Sequence, residues 1–187
     1  EARQLTTLRE GVSSYTWSPD GQRIALVSRD SLTRDEEARR RRRDDPQVYE
    51  GDLRMNHLWV VDVASGTATK ITSGAYTVSG APSWSPDGRT LAFSASPTPL
   101  IRDERRDAYV VDIASKAVTR ISSEADVEST PQFSPDGSRL AFTQLPHEFA
   151  PHKDGIPPRT LRNARLVTYE LATKTFTNHA RPDFDVS

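Results

Sequence analysis

One phrase limits what this chain can fold into, because it occurs three times with the same surroundings. It reads Trp17-Ser18-Pro19-Asp20-Gly21, Trp84-Ser85-Pro86-Asp87-Gly88 and Phe133-Ser134-Pro135-Asp136-Gly137. Proline pre-sets φ at the second position of a type I turn, Ser or Asp can bond back to the backbone, and Gly suits the fourth position. After each turn comes a short apolar run: Ile24-Ala25-Leu26-Val27, Leu91-Ala92-Phe93 and Leu140-Ala141-Phe142. Strand, tight turn and strand make a hairpin, and a hairpin repeated along a chain signals a repeat architecture.

The repeat is longer than the hairpin. A third strand follows in each copy, around Leu58–Val63, Tyr109–Ile113 and Leu166–Leu171, each with an acid near its end. A small polar turn and a fourth strand come next, at Thr67–Thr72, Ala117–Ser122 and Thr175–Asn178. The spacing is kept: nine positions from Asp62 to Ile71 and nine from Asp112 to Ile121. The unit is four antiparallel strands, A to D. Strands B and C carry apolar side chains on both faces, with Leu58 and Val60 on one and Trp59 and Val61 on the other. A sheet buried on both faces needs a neighbour on each side, and radially stacked four-stranded sheets supply one.

The fold class expected is therefore all-β. It is a partial β-propeller of three consecutive four-stranded antiparallel blades in an open arc, since propellers close with about 4–8 blades. The whole chain, 1–187, is one such domain, with blades at about 7–73, 74–123 and 124–179. Residues 1–6 read as the end of a preceding blade and 180–187 as the start of a following one.

Composition narrows the function classes. The formal net charge of -1 gives no long-range field that would favour nucleic acid or an anionic membrane. Cysteine is absent, so disulfides and thiolate metal sites are excluded while the compartment is left open. No apolar run approaches the roughly 18 residues of a membrane helix, so no membrane insertion is expected. The first residues carry no signal-peptide pattern, and the expected location is a bacterial cytoplasm or periplasm, undecided between the two.

Antiparallel order puts the A–B and C–D turns at one end of each blade and the B–C and D–A connections at the other. The B–C connections are long and unlike one another, and irregular loops of that kind carry function more often than repeated turns. The first holds Thr33-Arg34-Asp35-Glu36-Glu37-Ala38 followed by five arginines, Arg39 to Arg43. Acids flank the run, which speaks against a nucleic-acid patch. Thr33 and Glu36 fit a capping box, with acids in the first turn and arginines in the last, so the stretch reads as a short solvated helix. On that reading Glu36 and Glu37 pair with Arg40 and Arg41 on the helix surface.

His147 and His152 stand five apart where one helix face needs four, and Pro151 breaks any helix between them, so no metal site is assigned. All four histidines, His57, His147, His152 and His179, read as loop residues. No Gly-x-Ser-x-Gly elbow and no phosphate-binding glycine loop is present. No catalytic residue and no cofactor is assigned to this chain.

These phrases together resemble the TolB-type, WD40-like propeller repeat: Trp/Phe-Ser-Pro-Asp-Gly, then Leu/Ile-Ala-Phe/Leu, a Val-Val-Asp strand and Ile-Thr/Ser. That repeat occurs in TolB and in the N-terminal propeller of prolyl oligopeptidase family serine peptidases. The stretch Asp44–Leu53 running into Asn56–Asp62 resembles early blades of bacterial acylaminoacyl- and dipeptidyl-peptidase-like members. The resemblance implies a non-catalytic propeller that gates and selects short peptides for an α/β-hydrolase domain of the same full-length chain. In some dipeptidyl members a Glu-Glu pair on a propeller insertion holds the substrate's amino terminus. Glu36-Glu37 matches that pair, without the surrounding family motif. The alternative is a TolB-like protein-binding propeller with no enzymatic domain.

Overall fold

A computed structural model of the protein describes residues 4–42, 54–97, 106–122, 126–127, 129–145 and 165–179. In chain order the elements are β1 (Ser14–Trp17), β2 (Arg23–Arg29), α1 (Arg34–Arg41), β3 (Asn56–Asp62) and β4 (Ala68–Lys70). They continue with β5 (Thr77–Trp84), β6 (Thr90–Ser96), β7 (Asp107–Asp112) and β8 (Val118–Arg120). The last are β9 (Asp126–Val127), β10 (Gln132–Phe133), β11 (Arg139–Leu145), β12 (Arg165–Glu170) and β13 (Thr175–Asn178). They form three antiparallel sheets with strands in sequence order: β1 to β4, β5 to β8, and β10 to β13. This is the expected all-β open partial propeller. Gln4-Leu5-Thr6 runs outside the three sheets.

Each Ser-Pro-Asp-Gly turn closes in the same way. Gly21, Gly88 and Gly137 donate their N–H to the carbonyls of Ser18, Ser85 and Ser134, each at 2.9 Å. All three glycines sit at positive φ, between 68° and 74°. The Ser hydroxyl donates to the Asp carboxylate and accepts the N–H of the first residue of the next strand. In the first turn these are Asp20 at 2.6 Å and Arg23 at 2.9 Å. Asp20 Oδ1 also accepts the Gln22 N–H at 3.0 Å. The Asp carboxyls are accordingly held below their usual range, Asp136 at about 2, chiefly by the Ser134 hydroxyl and then by the Ser138 N–H.

Because the turn fixes the hairpin, it fixes the register. Trp17 faces Ile24, Trp84 faces Leu91 and Phe133 faces Leu140, so the three aromatics are equivalent. The innermost strand is regular only in the first blade. In the second, the register shifts between Ser79 and Ser83, where Gly80 and Pro82 interrupt the ladder. In the third, β9 and β10 pair with β11 as separate pieces on either side of Pro131. The Ser129 hydroxyl accepts the Thr143 N–H there at 2.8 Å in place of a backbone carbonyl.

Burial lies between sheets. Ala25, Val27, Leu58 and Val60 of the first blade pack on Trp84, Leu91, Phe93 and Val111 of the second. Ala92 and Ala108 on the second blade's opposite face pack on Leu140, Phe142, Val167 and Tyr169 of the third. The second blade is covered on both faces, and its strands accordingly carry apolar side chains on each.

Candidate functional site

The end of the blades that carries the B–C connections holds the varied polar chemistry of the described residues. Helix α1 stands in the first of these connections. Its capping box is formed: Glu36 Oε2 accepts the Thr33 N–H at 2.7 Å, and Thr33 Oγ1 accepts the Glu36 N–H at 3.3 Å. The Thr33 hydroxyl also donates to Glu36 Oε2 at 2.7 Å. These bonds, the hydroxyl's first, hold the Glu36 carboxyl below its usual range. Glu37 turns elsewhere. Its Oε1 accepts from Arg9 at 3.1 Å and its Oε2 lies 3.8 Å from Arg41, the i, i+4 partner expected from the sequence. The two carboxylates are adjacent in sequence but each has its own partners within the chain.

A tighter constellation lies where β2 ends, β3 begins and β4 ends. Asp30 takes the Lys70 ammonium on one carboxylate oxygen and stands 3.4 Å from His57 Nε2 with the other. His57 Nδ1 is 3.2 Å from Thr72 Oγ1, which accepts the Leu58 N–H at 2.9 Å. With Thr72 donating to Nδ1, the Nε2–H faces the Asp30 carboxylate across 3.4 Å. The tautomer follows from the network. His57 is 1% exposed and meets the edge of Tyr76, ring centres 5.6 Å apart at 81°. Burial first, and then the Lys70 charge, pushes its pKa down, outweighing Asp30, so the imidazole is neutral near pH 7. Nearby Arg54 closes the outer side on Glu10 at 2.8 Å.

Carboxylate, imidazole and hydroxyl in a row suggest a hydrolytic relay, but the arrangement cannot present a nucleophile. Thr72 is 1% exposed and its oxygen is occupied by a backbone N–H, so no carbonyl carbon can approach it. The second blade shows what the row does. There Asp107 stands at the place of His57, Arg120 at that of Lys70 and Ser122 at that of Thr72. Arg120 and Ser122 both donate to Asp107 Oδ1 at 2.8 Å, and Ser122 Oγ accepts the Ala108 N–H at 3.0 Å. The row is a brace that ties the last strand of a blade to the one before it, built once around a histidine and once around an acid.

His57 is thus a buried residue of β3 and not the loop histidine expected from the sequence. Both His57 and its neighbour Leu58 are buried in that strand, His57 on the side of Tyr76. Asp30, Lys70, Thr72 and Tyr76 were not singled out by sequence reasoning. A signal was available: Lys70-Ile71-Thr72 and Arg120-Ile121-Ser122 repeat base, isoleucine and hydroxyl at the same place in two blades. His179 is exposed and its Nε2 lies 2.8 Å from Thr168 Oγ1. His147, His152 and the Asp44–Leu53 stretch lie outside the described residues, as do Arg43 and Pro46. Among the described residues no group of three or more His, Asp or Glu could hold a metal ion. A recess of about 450 Å³ opens between the second and third blades, lined by Ala81, Thr130, Gln132 and Leu166 among others.

Comparison with known proteins agrees with this architecture. TolB from Acinetobacter baumannii superposes on 95% of the chain with a TM-score of 0.57 at 22% identity, over 34% of its own length. In sequence, the Tol-Pal system protein TolB of Alcanivorax borkumensis is 35% identical over 96 residues, 50% of this chain. Dipeptidyl-peptidase 5 of Porphyromonas gingivalis is 23% identical over 116 residues, 62% of this chain. The chain spans 17% and 15% of the lengths of those two curated relatives. The family model described as the TolB beta propeller domain matches residues 49–145, more than half of the chain. This chain belongs to the TolB β-propeller domain family.

Proposed function

We propose that this chain is the substrate-selecting propeller of a prolyl oligopeptidase family serine peptidase, acting with an α/β-hydrolase domain of the same full-length protein. The observation that carries the reading is the asymmetry of the blades. One end consists of three near-identical turns, and the other carries unequal B–C connections with α1 and its charged partners Arg9, Glu37 and Arg41. A face of that kind suits contact with a second domain and with short peptides entering between the two. The similarity to Dipeptidyl-peptidase 5 supports it. In this reading Glu36 and Glu37 are the groups offered to a peptide's ammonium. They would exchange their bonds to Thr33 and Arg9 for charge-assisted bonds to the ligand.

A second reading is favoured by the 35% identity to TolB: a propeller that binds protein partners through the same face and has no enzymatic domain. The coding sequence beyond Ser187 separates the two. The peptidase reading expects about 250 further residues carrying Gly-x-Ser-x-Gly, Asp and His in α/β-hydrolase order. A full-length protein without them supports the binding module and rejects the peptidase.

A further inference from the structure

The connection that carries α1 leaves the first sheet after Arg29 and returns to it at Asn56. Its two ends are tied to each other: the Asp30 N–H donates to the Met55 carbonyl at 2.8 Å, and Arg54 Nη1 reaches the Asp30 carbonyl at 3.5 Å. They are also tied to the chain that leads into the second blade. The Asn56 N–H donates to Thr77 Oγ1 at 3.1 Å and the Leu58 N–H to Thr72 Oγ1 at 2.9 Å. His57 stands between those two donors in sequence and is 1% exposed.

Four groups face its ring. Asp30 comes from the end of β2, Lys70 from β4, and Thr72 and Tyr76 from the connection to the second blade, with the Arg54–Glu10 pair outside them. A neutral imidazole suits this setting, accepting at Nδ1 from Thr72 and presenting Nε2–H to Asp30. An imidazolium does not, because both its nitrogens donate. The Thr72 hydrogen would have to turn away from Nδ1 while Thr72 Oγ1 still holds the Leu58 N–H. One carboxylate, Asp30, would then face two cations. Lys70 is about a third exposed and can turn to water, but His57 cannot. Burial and the Lys70 charge both oppose the added proton.

The second blade keeps the same backbone bond without the histidine. The Ala108 N–H donates to Ser122 Oγ at 3.0 Å, the counterpart of the Leu58 bond, and Asp107 stands in the place of His57.

We propose that His57 is an acid-operated latch at the root of the connection that carries α1. When Nδ1 takes a proton, the Asp30–His57–Thr72 row opens and the bonds at both ends of the connection loosen. The second blade, with no histidine in its row, stays closed.

Residue-resolved amide hydrogen exchange of the full-length protein, corrected for the intrinsic pH dependence of exchange, tests this between about pH 7.5 and about pH 5.5. Protection of the Asp30, Asn56 and Leu58 amides should fall several-fold. The limit is about tenfold, set by one proton taken up about one unit below the ordinary histidine pKa. Protection of Ala108 should not change. The fall should vanish in His57→Gln. Its midpoint should move to higher pH in Lys70→Met, where an opposing cation is gone, and to lower pH in Asp30→Asn, where the favouring carboxylate is gone. Equal protection of Leu58 at the two pH values, an equal loss at Leu58 and Ala108, or a fall that survives in His57→Gln would overturn the proposal.

Discussion

Arg23 and Trp84 hold the first two blades together: the guanidinium stacks on the indole at 5.0 Å and spans to the Gly88 carbonyl, while the indole N–H reaches the Thr16 carbonyl. Trp84→Ala should cost about 3–5 kcal/mol, as large aromatic truncations in cores do. Arg23→Met should cost about 1–2 kcal/mol from the lost cation–π contact and hydrogen bond. In a double-mutant cycle by urea denaturation, the two losses should fall short of additive by about 1 kcal/mol. Strict additivity would mean that the stacking carries no energy.

Gly21 and Gly88 form a matched pair for a second test. Both have φ 68°, but a Cβ on Gly21 meets nothing within 4 Å, while one on Gly88 would lie 2.9 Å from Arg23 Nη2. Gly21→Ala should cost about 1 kcal/mol from the left-handed backbone alone. Gly88→Ala should cost about 1 kcal/mol more from crowding. That excess should disappear in an Arg23→Ala background. Urea midpoints of the four variants decide it.

Much of this was legible in the sequence, and what was not has a physical reason. The Ser-Pro-Asp-Gly turns, the register of Trp17, Trp84 and Phe133, and the Thr33–Glu36 cap are all made by residues within a few positions of one another. Local chemistry states them outright. The brace around His57 joins Asp30, His57 and Lys70 across two strand reversals, so a lone histidine gave no sign of it. The different fates of Trp17 and Trp84 were also unreadable. Their local phrases match, and the packing of Trp84 on Arg23 and the first blade is made by residues far from it in sequence. The split of β9 from β10 falls at Pro131, which has no N–H to give a ladder, a signal carried by one residue and not by the repeated phrase.

Lys116 and Lys174 occupy the left-handed region, φ 59° and 57°, at the turn position where the first blade has Gly66 at 71°. Lys116→Gly should raise stability by about 0.5 kcal/mol, the relief of backbone strain exceeding the entropy that glycine adds to the unfolded chain. Thermal unfolding of the single variants, with a Thr119→Gly control at an exposed position of β8, gives the sign. A loss at Lys116 equal to that in the control would refute the strain.

Two windows of pH dependence follow from the shifted groups. Asp20, Asp87 and Asp136 have folded pKa values below the usual carboxylate range. Their contribution is therefore present above the unfolded pKa and lost as pH falls through the folded one, for Asp136 between about 4 and about 2. Asp136→Asn should flatten that part of the stability curve. His57 is also lowered, so the folded state resists its protonation and stability should start to fall below the ordinary histidine pKa of 6.5. Denaturant midpoints between neutral and mildly acidic pH should show this decline in the wild type and lack it in His57→Gln.

The functional claim meets its most direct test in the steady-state kinetics of the full-length protein on two short peptides that differ only at the amino terminus, one free and one acylated. If the B–C face selects substrate through α1, Glu36→Gln combined with Glu37→Gln should raise KM for the free-amine peptide. It should leave the acylated peptide's KM and both kcat values near wild type. Equal kinetics on both peptides in wild type and variant, or no peptide turnover by the full-length protein, would contradict the account.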